Sequence, residues 1–434
     1  MPRFLTALAL SVLLGSVHAV SAQEDTSLPA RFELYRKHEH ELGALALEMR
    51  RGQERLLQAR RALRAFRQGK RVDGLTKPQR VELDRLEANL LEARGGLSRL
   101  LDGKVGKSYR RAKGEVEAEL KRLAQDLGRA LAKGGSPLLR RMRASLLVDK
   151  GRFELALRDL KQVLVANPKD ALGLTLRGRC REATGQTEKA LADYSTALGL
   201  EPTDERRLRA AVALFWLNRF VEARKLRDAV SELGPLPAQL QLDYAWHLAA
   251  PKLENVEKRW QRELVLRAED AKRGDLPRIE LKTTHGRIVI ELYEDQVPNT
   301  VAALLTLVKQ GFYDKLAWHR VQPLRLAVTG KPRAPVKGDA AGPGFATPSE
   351  IGRAPRHHFR GSVGWLSRGP RKRGGSQLYL MFRPDAELDG ECAVIGRIVE
   401  GIERAAALRQ GDLVESAKIL RKRKHPYTVH KEGL

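Results

Sequence analysis

The sequence predicts a multidomain α + β chain, helical over roughly its first 277 residues and strand-rich beyond them. Three observations lead there. At 434 residues the chain exceeds one compact core and should divide into two or three domains. Leucine and alanine recur at helical spacing from about residue 30 to about 271. At Arg273-Gly274-Asp275-Leu276-Pro277 the apolar period then changes from 3.6 to 2. An apolar content of 42% supports ordinary cores, and an aromatic content of 5% fits helices packed by Leu and Ala.

Residues 1–22 read as an export signal. Arg3 supplies the positive start, Phe4 to Val17 the apolar segment, and Val20-Ser21-Ala22 a small-residue cleavage site. The protein is expected outside the cytoplasm, periplasmic or extracellular, with anchoring by an uncleaved segment as the alternative. No other stretch approaches the ~20 apolar residues of a membrane span. The only two cysteines, Cys180 and Cys392, fall in different domains, so no disulfide framework is expected.

Residues 30–133 carry coiled-coil-like seams. Leu42, Leu45, Met49, Leu56, Ala59, Leu63 and Phe66 take heptad a and d positions, with Gly52 as the weak link. A second stripe runs from Leu83 to Leu100 and a third begins at Val116. Asp73-Gly74 and Pro78 suggest that the first helix folds back as an antiparallel hairpin. Residues 137–235 then hold a repeat. Gly151, Ala156, Leu160, Val163 and Pro168 recur 34 residues on as Gly185, Ala190, Tyr194, Ala197 and Pro202. A frayed third copy keeps Asn218, Ala223, Val230 and Pro235. This spacing is similar to the tetratricopeptide repeat, and the resemblance implies an α-solenoid with a concave groove for a polypeptide partner. Residues 236–277 read as a helical linker.

The C-terminal domain, 278–434, opens with RIELKTTHGRIVIELYED, which alternates about Thr284-His285-Gly286 as a hairpin does. A helix over 298–310 follows, with Pro298 near its start and Gly311 at its end. From Thr283 onward the ordered set T-x2-G-R-I-V-I-E-L-Y-E-D-Q-V-P-N-T-V, G-F-Y-D, W-H-R-V, G-P-G-F (342–345), Glu350, H-F-R-G (358–361), G-G-S-Q (374–377), L-D-G (388–390) and V-I-G-R-I-V-E-G (394–401) resembles the cyclophilin family of peptidyl-prolyl isomerases over about 278–420. The resemblance implies a closed antiparallel β-barrel with two helices, the second at about 400–409. It ends in a basic tail, Arg421-Lys422-Arg423-Lys424.

The chemistry such a family performs needs few groups. Rotation about an Xaa-Pro bond meets a barrier of ~18–20 kcal/mol set by amide resonance. As the bond twists, the prolyl nitrogen regains its lone pair. A guanidinium aimed at that atom donates a hydrogen bond that the planar ground state accepts poorly, which is differential stabilisation of the transition state. No metal, cofactor or covalent step is required. By resemblance to the motif F-H-R-V-x-P-G-F-M-x-Q-G-G-D, Arg320 is the catalytic residue. Tyr379 takes the place of the aromatic under the prolyl ring and Leu388 that of the apolar wall. Leu326 stands for the motif's methionine, and Gln377 is kept. Trp365, Leu366 and Ser367 fall on the edge that pairs with substrate backbone.

Departures weaken the match. The motif's glutamine becomes Val328, its phenylalanine becomes Arg325, bulky Leu366 replaces a small residue, and Cys392 takes a histidine position. Glu387 stands where some members carry tryptophan, so cyclosporin-type binding is not expected. A weakened isomerase follows, and restoring glutamine at Val328 is expected to raise its activity.

The formal charge is +27, but it is spread along the chain; 278–434 holds 27 basic and 16 acidic side chains. That pattern fits a solvated basic surface better than a nucleic-acid arm. His319, His357 and His358 lack carboxylates at metal-ligand spacing, and no G-x4-G-K-[ST] loop occurs. The partners expected are proline-containing polypeptide clients and a protein held by the repeats. The leading function is an exported folding helper with isomerase activity. The alternative is a catalytically silent scaffold in which both modules bind polypeptide.

Overall fold

The computed structural model describes residues 28–67, 76–132, 136–230, 240, 243–250, 252–331, 345–351, 356–368 and 373–431. The export-signal reading, Gly74, Pro235 and Gly342-Pro343-Gly344 lie outside them. The chain forms two compact units, Met1–Lys150 with Glu232–Trp246, and Gly151–Ser231 with His247–Leu434. No helix among the described residues is long and apolar enough to cross a membrane.

The described residues of the first unit contain α1 (Leu28–Arg67), α2 (Lys77–Asp102), α3 (Lys104–Ala132) and α4 (Pro137–Asp149). Thr76 and Gln79 open α2 with a reciprocal capping box, and Pro follows at its first turn. Ser136 caps α4 by accepting from the Leu139 amide. Phe32 and Tyr35 of α1 pack against Val116, Leu123 and Leu127 of α3 and Met142 and Leu146 of α4. Around that core Arg31 bridges Glu119 and Asp126, while Tyr35 donates to Asp149. Gly52 is not a weak link. A methyl group there would come within 2.8 Å of Leu100 and 3.2 Å of Leu97, so its missing side chain lets α1 and α2 approach.

In the second unit α5 (Phe153–Ala166), α6 (Ala171–Ala183), α7 (Thr187–Leu200), α8 (Asp204–Trp216) and α9 (Phe220–Asp228) follow one another. Helices open at 137, 171 and 204 and, alternately, at 153, 187 and 220, intervals of 34 and 33 residues. The turn before the second helix of each pair needs a left-handed residue. Gly151, Gly185 and Asn218 supply it at φ 69°, 82° and 62°, with Asn among the few non-glycine types enriched in that region. The close helix approach falls on Gly178, where a methyl group would meet the Tyr194 ring at 2.4 Å. A short π-helical turn, Tyr244–Leu248, and α10 (Lys252–Arg273) lead to the strands.

Among the described residues nine antiparallel strands form one sheet: β1 (Arg278–Thr283), β2 (Gly286–Leu292), β3 (Leu316–Ala317), β4 (Arg320–Gln322), β5 (Leu326–Thr329), β6 (Ser362–Arg368), β7 (Arg373–Met381), β8 (Ala393–Glu400) and β9 (Leu413–Arg421). Their order is β3-β9-β1-β2-β8-β6-β7-β5-β4. The outermost strands, β3 and β4, are separated in the chain by only Trp318 and His319, so the sheet curls into a half-barrel until its edges approach. Among the described residues no ladder joins β3 to β4. The expected hairpin is present, with Thr283 opposite Gly286.

The concave core holds Ile279, Leu281, Ile288, Ile290, Val363, Leu378 and Leu380 with Trp318 and Trp365. Helix α11 (Pro298–Lys309) packs its Val301, Leu304, Leu305 and Val308 into it, and α12 (Ile402–Ala406) adds Ala405. Val297 gives α11 no side-chain cap. Buried Glu350 replaces one, accepting from the Asn299 and Thr300 amides and the Thr300 hydroxyl; a carboxylate there also meets the positive end of the helix. Glu291 on β2 is enclosed by Arg278, Arg397 and Arg421. Burial opposes its charge, but hydrogen bonds from Arg278 and Arg397 outweigh that and hold its carboxyl below the usual range.

Candidate active site

Register builds the site. Arg320 on β4 lies opposite Val328 on β5, Val328 opposite Tyr379 on β7, and Tyr379 opposite Gly364 on β6. Residues facing each other across antiparallel strands project to the same side. Arg320, Val328 and Tyr379 therefore form one row on the convex face, away from the barrel core. Alternation adds Leu326 and Gln322 in the next row, with Leu326 opposite Met381. Leu326, Val328, Tyr379, Met381 and Cys392 form an apolar cluster, with Leu366 and Leu388 packed against it.

The Arg320 side chain is exposed and, among the described residues, carries no hydrogen bond or ion pair. Arg325, at the other end of the turn, is committed to Asp385 at 2.7 Å and Glu387 at 3.2 Å. That pair ties the β4–β5 turn to the loop bearing Leu388. The turn itself departs from the motif, whose glycine is Leu324 here. With Pro323 before it and the Arg325 amide bonded to the Gln322 carbonyl at 3.0 Å, Leu324 sits at φ 62°, a conformation that disfavours a branched side chain by about 1–2 kcal/mol.

Tyr379 is the floor of the cluster, 1% exposed. Its ring lies across Gly364, where a methyl group would come within 2.1 Å of it. The hydroxyl meets His358 Nε2 at 2.7 Å, and His358 Nδ1 meets Asp389 at 2.8 Å. Asp389 also accepts from the His358 amide and binds His357 and Arg259. Burial would raise the Asp389 pKa, but hydrogen bonds from His357 and His358 overcome it and hold the carboxyl well below the usual range. Burial, with Cys392 beside the hydroxyl, pushes the Tyr379 phenol well above its usual value.

The other residues expected at the site divide. Leu326, Leu366 and Leu388 join the cluster, and Gln377 lies buried on the same face of β7, two residues from Tyr379. Trp365 does not line the site. It points into the barrel core, and its backbone is paired on both sides, with Leu378 and Ala393, so it offers no edge. The β6–β7 register shifts after Trp365, with the extra residues on β7, and the pairing of β6 with β8 stops at Trp365. Leu366 and Ser367 lie beyond that point, where only the β7 side is paired, Ser367 with Gly374. Gln322 and Met381 on the pocket face, and the His358–Asp389 couple behind it, were not anticipated. Thirty-one residues separate His358 from Asp389, and the only signal was that both stand inside ordered motif fragments, H-F-R-G and L-D-G.

Val328 is fully enclosed by this cluster, which reverses the expectation for glutamine at that position. An amide there would be buried among Leu326, Tyr379 and Met381, at a cost of about 1–3 kcal/mol for each unsatisfied group. Val328→Gln is expected to lower the melting temperature and to leave activity unraised. An unchanged melting temperature with faster isomerisation would refute this.

The family model for "Cyclophilin type peptidyl-prolyl cis-trans isomerase/CLD" matches residues 278–426. The chain is 38% identical over 138 residues to a peptidyl-prolyl cis-trans isomerase of Helicobacter pylori, covering 31% of this chain and 82% of that one. It is 35% identical over 142 residues to one of Synechococcus elongatus, covering 32% and 94%. Among solved structures, a cyclophilin-type isomerase of Cryptosporidium parvum matches 35% of this chain and 99% of its own, at 19% identity and a TM-score of 0.29. With the exposed guanidinium, the apolar cluster and the ordered motifs in one sheet, the match over 278–426 makes this chain a member of the cyclophilin-type peptidyl-prolyl cis-trans isomerase family.

Proposed function

We propose that the chain is an exported protein-folding helper that accelerates Xaa-Pro isomerisation at the convex face of its half-barrel. The observation that carries the reading is Arg320, unpaired and exposed among the described residues, in one row with Val328 and Tyr379. A prolyl ring resting against Leu388 and Leu366 brings its nitrogen toward that guanidinium. The donor stabilises the nitrogen as conjugation is lost, and a substrate strand extends the open edge of β6 at Leu366 and Ser367. The 34- and 33-residue helical interval supports tetratricopeptide-like repeats that hold polypeptide, and the N-terminal sequence supports export. The close approach of β3 and β4 through Trp318-His319 supports a closed barrel. The test is a coupled proline-isomerisation assay on the full chain beside Arg320→Ala. Equal rates at the uncatalysed level would remove the enzyme reading.

One observation favours the silent scaffold. Tyr379 is 1% exposed, so a proline cannot stack on it while Leu366 covers the cluster. Leu366→Ala separates the two readings. For an isomerase it is expected to raise kcat/KM about tenfold or more by uncovering the ring, the lower end of the effect of one methylene in an apolar pocket. A scaffold stays at the uncatalysed rate in both forms.

A further inference from the structure

We infer that helix α10, which lies outside the family-matched segment, completes the isomerase pocket: Arg259 positions Tyr379 through Asp389 and His358. This rests on the isomerase reading above. Arg259 Nη1 reaches one Asp389 oxygen at 3.0 Å, and His357 Nδ1 shares that oxygen at 2.9 Å. The other oxygen receives the His358 amide at 2.9 Å and His358 Nδ1 at 2.8 Å. A carboxylate only accepts, so His358 carries a proton on Nδ1. In the neutral ring Nε2 is then the acceptor for the Tyr379 hydroxyl, 2.7 Å away. Each bond fixes the polarity of the next, and the last one sets the tilt of the ring under the pocket.

Arg259 is not what docks the helix. Buried Arg356 ties α10 to the barrel through Glu263 and Asp270. Trp260 is wedged between Phe359, 4.7 Å away, and Phe220, 6.0 Å away. The Arg259 side chain is 39% exposed, and its contact is spent on the carboxylate that orients His358. The helix thus gives the pocket a polar support that, among the described residues of 278–426, only His357 also supplies to that oxygen.

The experiment is a double-mutant cycle in the full chain between Arg259→Met and Tyr379→Phe, residues that do not touch. Arg259→Lys is the conservative control and Arg320→Ala the control for chemistry. Arg259→Met is expected to lower kcat/KM about threefold to tenfold, with Lys recovering most of the loss. In the Tyr379→Phe background the Met substitution should change nothing further. The ¹⁵N shifts of the His358 ring, distinct for a protonated Nδ1 and an acceptor Nε2 in the wild type, should move toward a mixture in Arg259→Met. Wild-type kcat/KM in Arg259→Met beside a loss in Arg320→Ala would overturn the inference and leave the isomerase reading standing. The same loss with Tyr379 or with Phe would also overturn it, since the effect would not pass through the hydroxyl. Uncatalysed rates from both the wild type and Arg320→Ala would sink the reading and the inference together.

Discussion

Arg320→Ala is expected to lower kcat/KM for an Xaa-Pro peptide by about 10²–10³, the usual loss when one preorganised transition-state donor is removed. The structure makes this a clean substitution. The Arg320 side chain is exposed and bonds to no other described residue, so truncating it breaks no ion pair and opens no cavity. Melting temperature should stay within a degree or two while activity falls. Arg320→Lys keeps the charge but loses the planar fork, and is expected to recover only part of the rate. An Ala variant within twofold of the wild type would show that the guanidinium is an ordinary surface charge. The neighbouring Arg325→Ala is the contrast. It breaks the contacts to Asp385 and Glu387, so its effect should reach stability as well as rate.

Arg356→Ala is expected to cost about 3–5 kcal/mol, the scale for removing one partner of a buried ion pair. Its guanidinium is completely enclosed, bonded to Glu263 at 3.3 Å and to Asp270, and stacked 4.0 Å from the centre of the Tyr293 ring. Both acids are themselves buried. Without the arginine each buried acid keeps, among the described residues, a single ion-pair partner, Arg267 for Glu263 and the partly exposed Arg273 for Asp270, so the buried carboxylates lose their one fully enclosed counterion. At about 2–4 °C per kcal/mol for a domain of this size, the second unit should melt on the order of 10 °C lower. Neutralising the acids at the same time (Arg356→Met with Glu263→Gln and Asp270→Asn) should recover much of the loss, because the penalty is the stranded charge. A melting temperature within 2 °C of wild type in Arg356→Ala would mean that solvent reaches the cluster.

Much of the site was legible because the family motifs occur in order along the strands. Arg320, Leu326, Tyr379 and Leu388 could each be placed from a fragment that carries its own register. Trp365 could not. Whether a strand residue faces core or groove depends on pairing and bulges, and a one-residue change of register exchanges the faces. Trp365 and Leu366 are adjacent, yet one fills the barrel core and the other packs against the apolar cluster on the opposite face. Val328 looked like a missing polar group in the sequence. In the fold it is a sealed apolar contact, which makes the obvious restoration a destabilising one. Gly52 was misread for the opposite reason, since a helical glycine costs intrinsic propensity while the gain from close packing lies on another helix.

The sequence alone determined the order of helices and strands, the 34-residue repeat and the family, because each is written in local periodicity or in short fragments of fixed spacing. Tertiary structure alone decided which side chains meet. Asp389 reaches two histidines thirty-odd residues upstream and Arg259 on a helix before the first strand. Helix α10 is locked to the barrel by a buried arginine. Those contacts depend on how a curled sheet brings distant loops to one edge, and no periodicity along the chain encodes that distance.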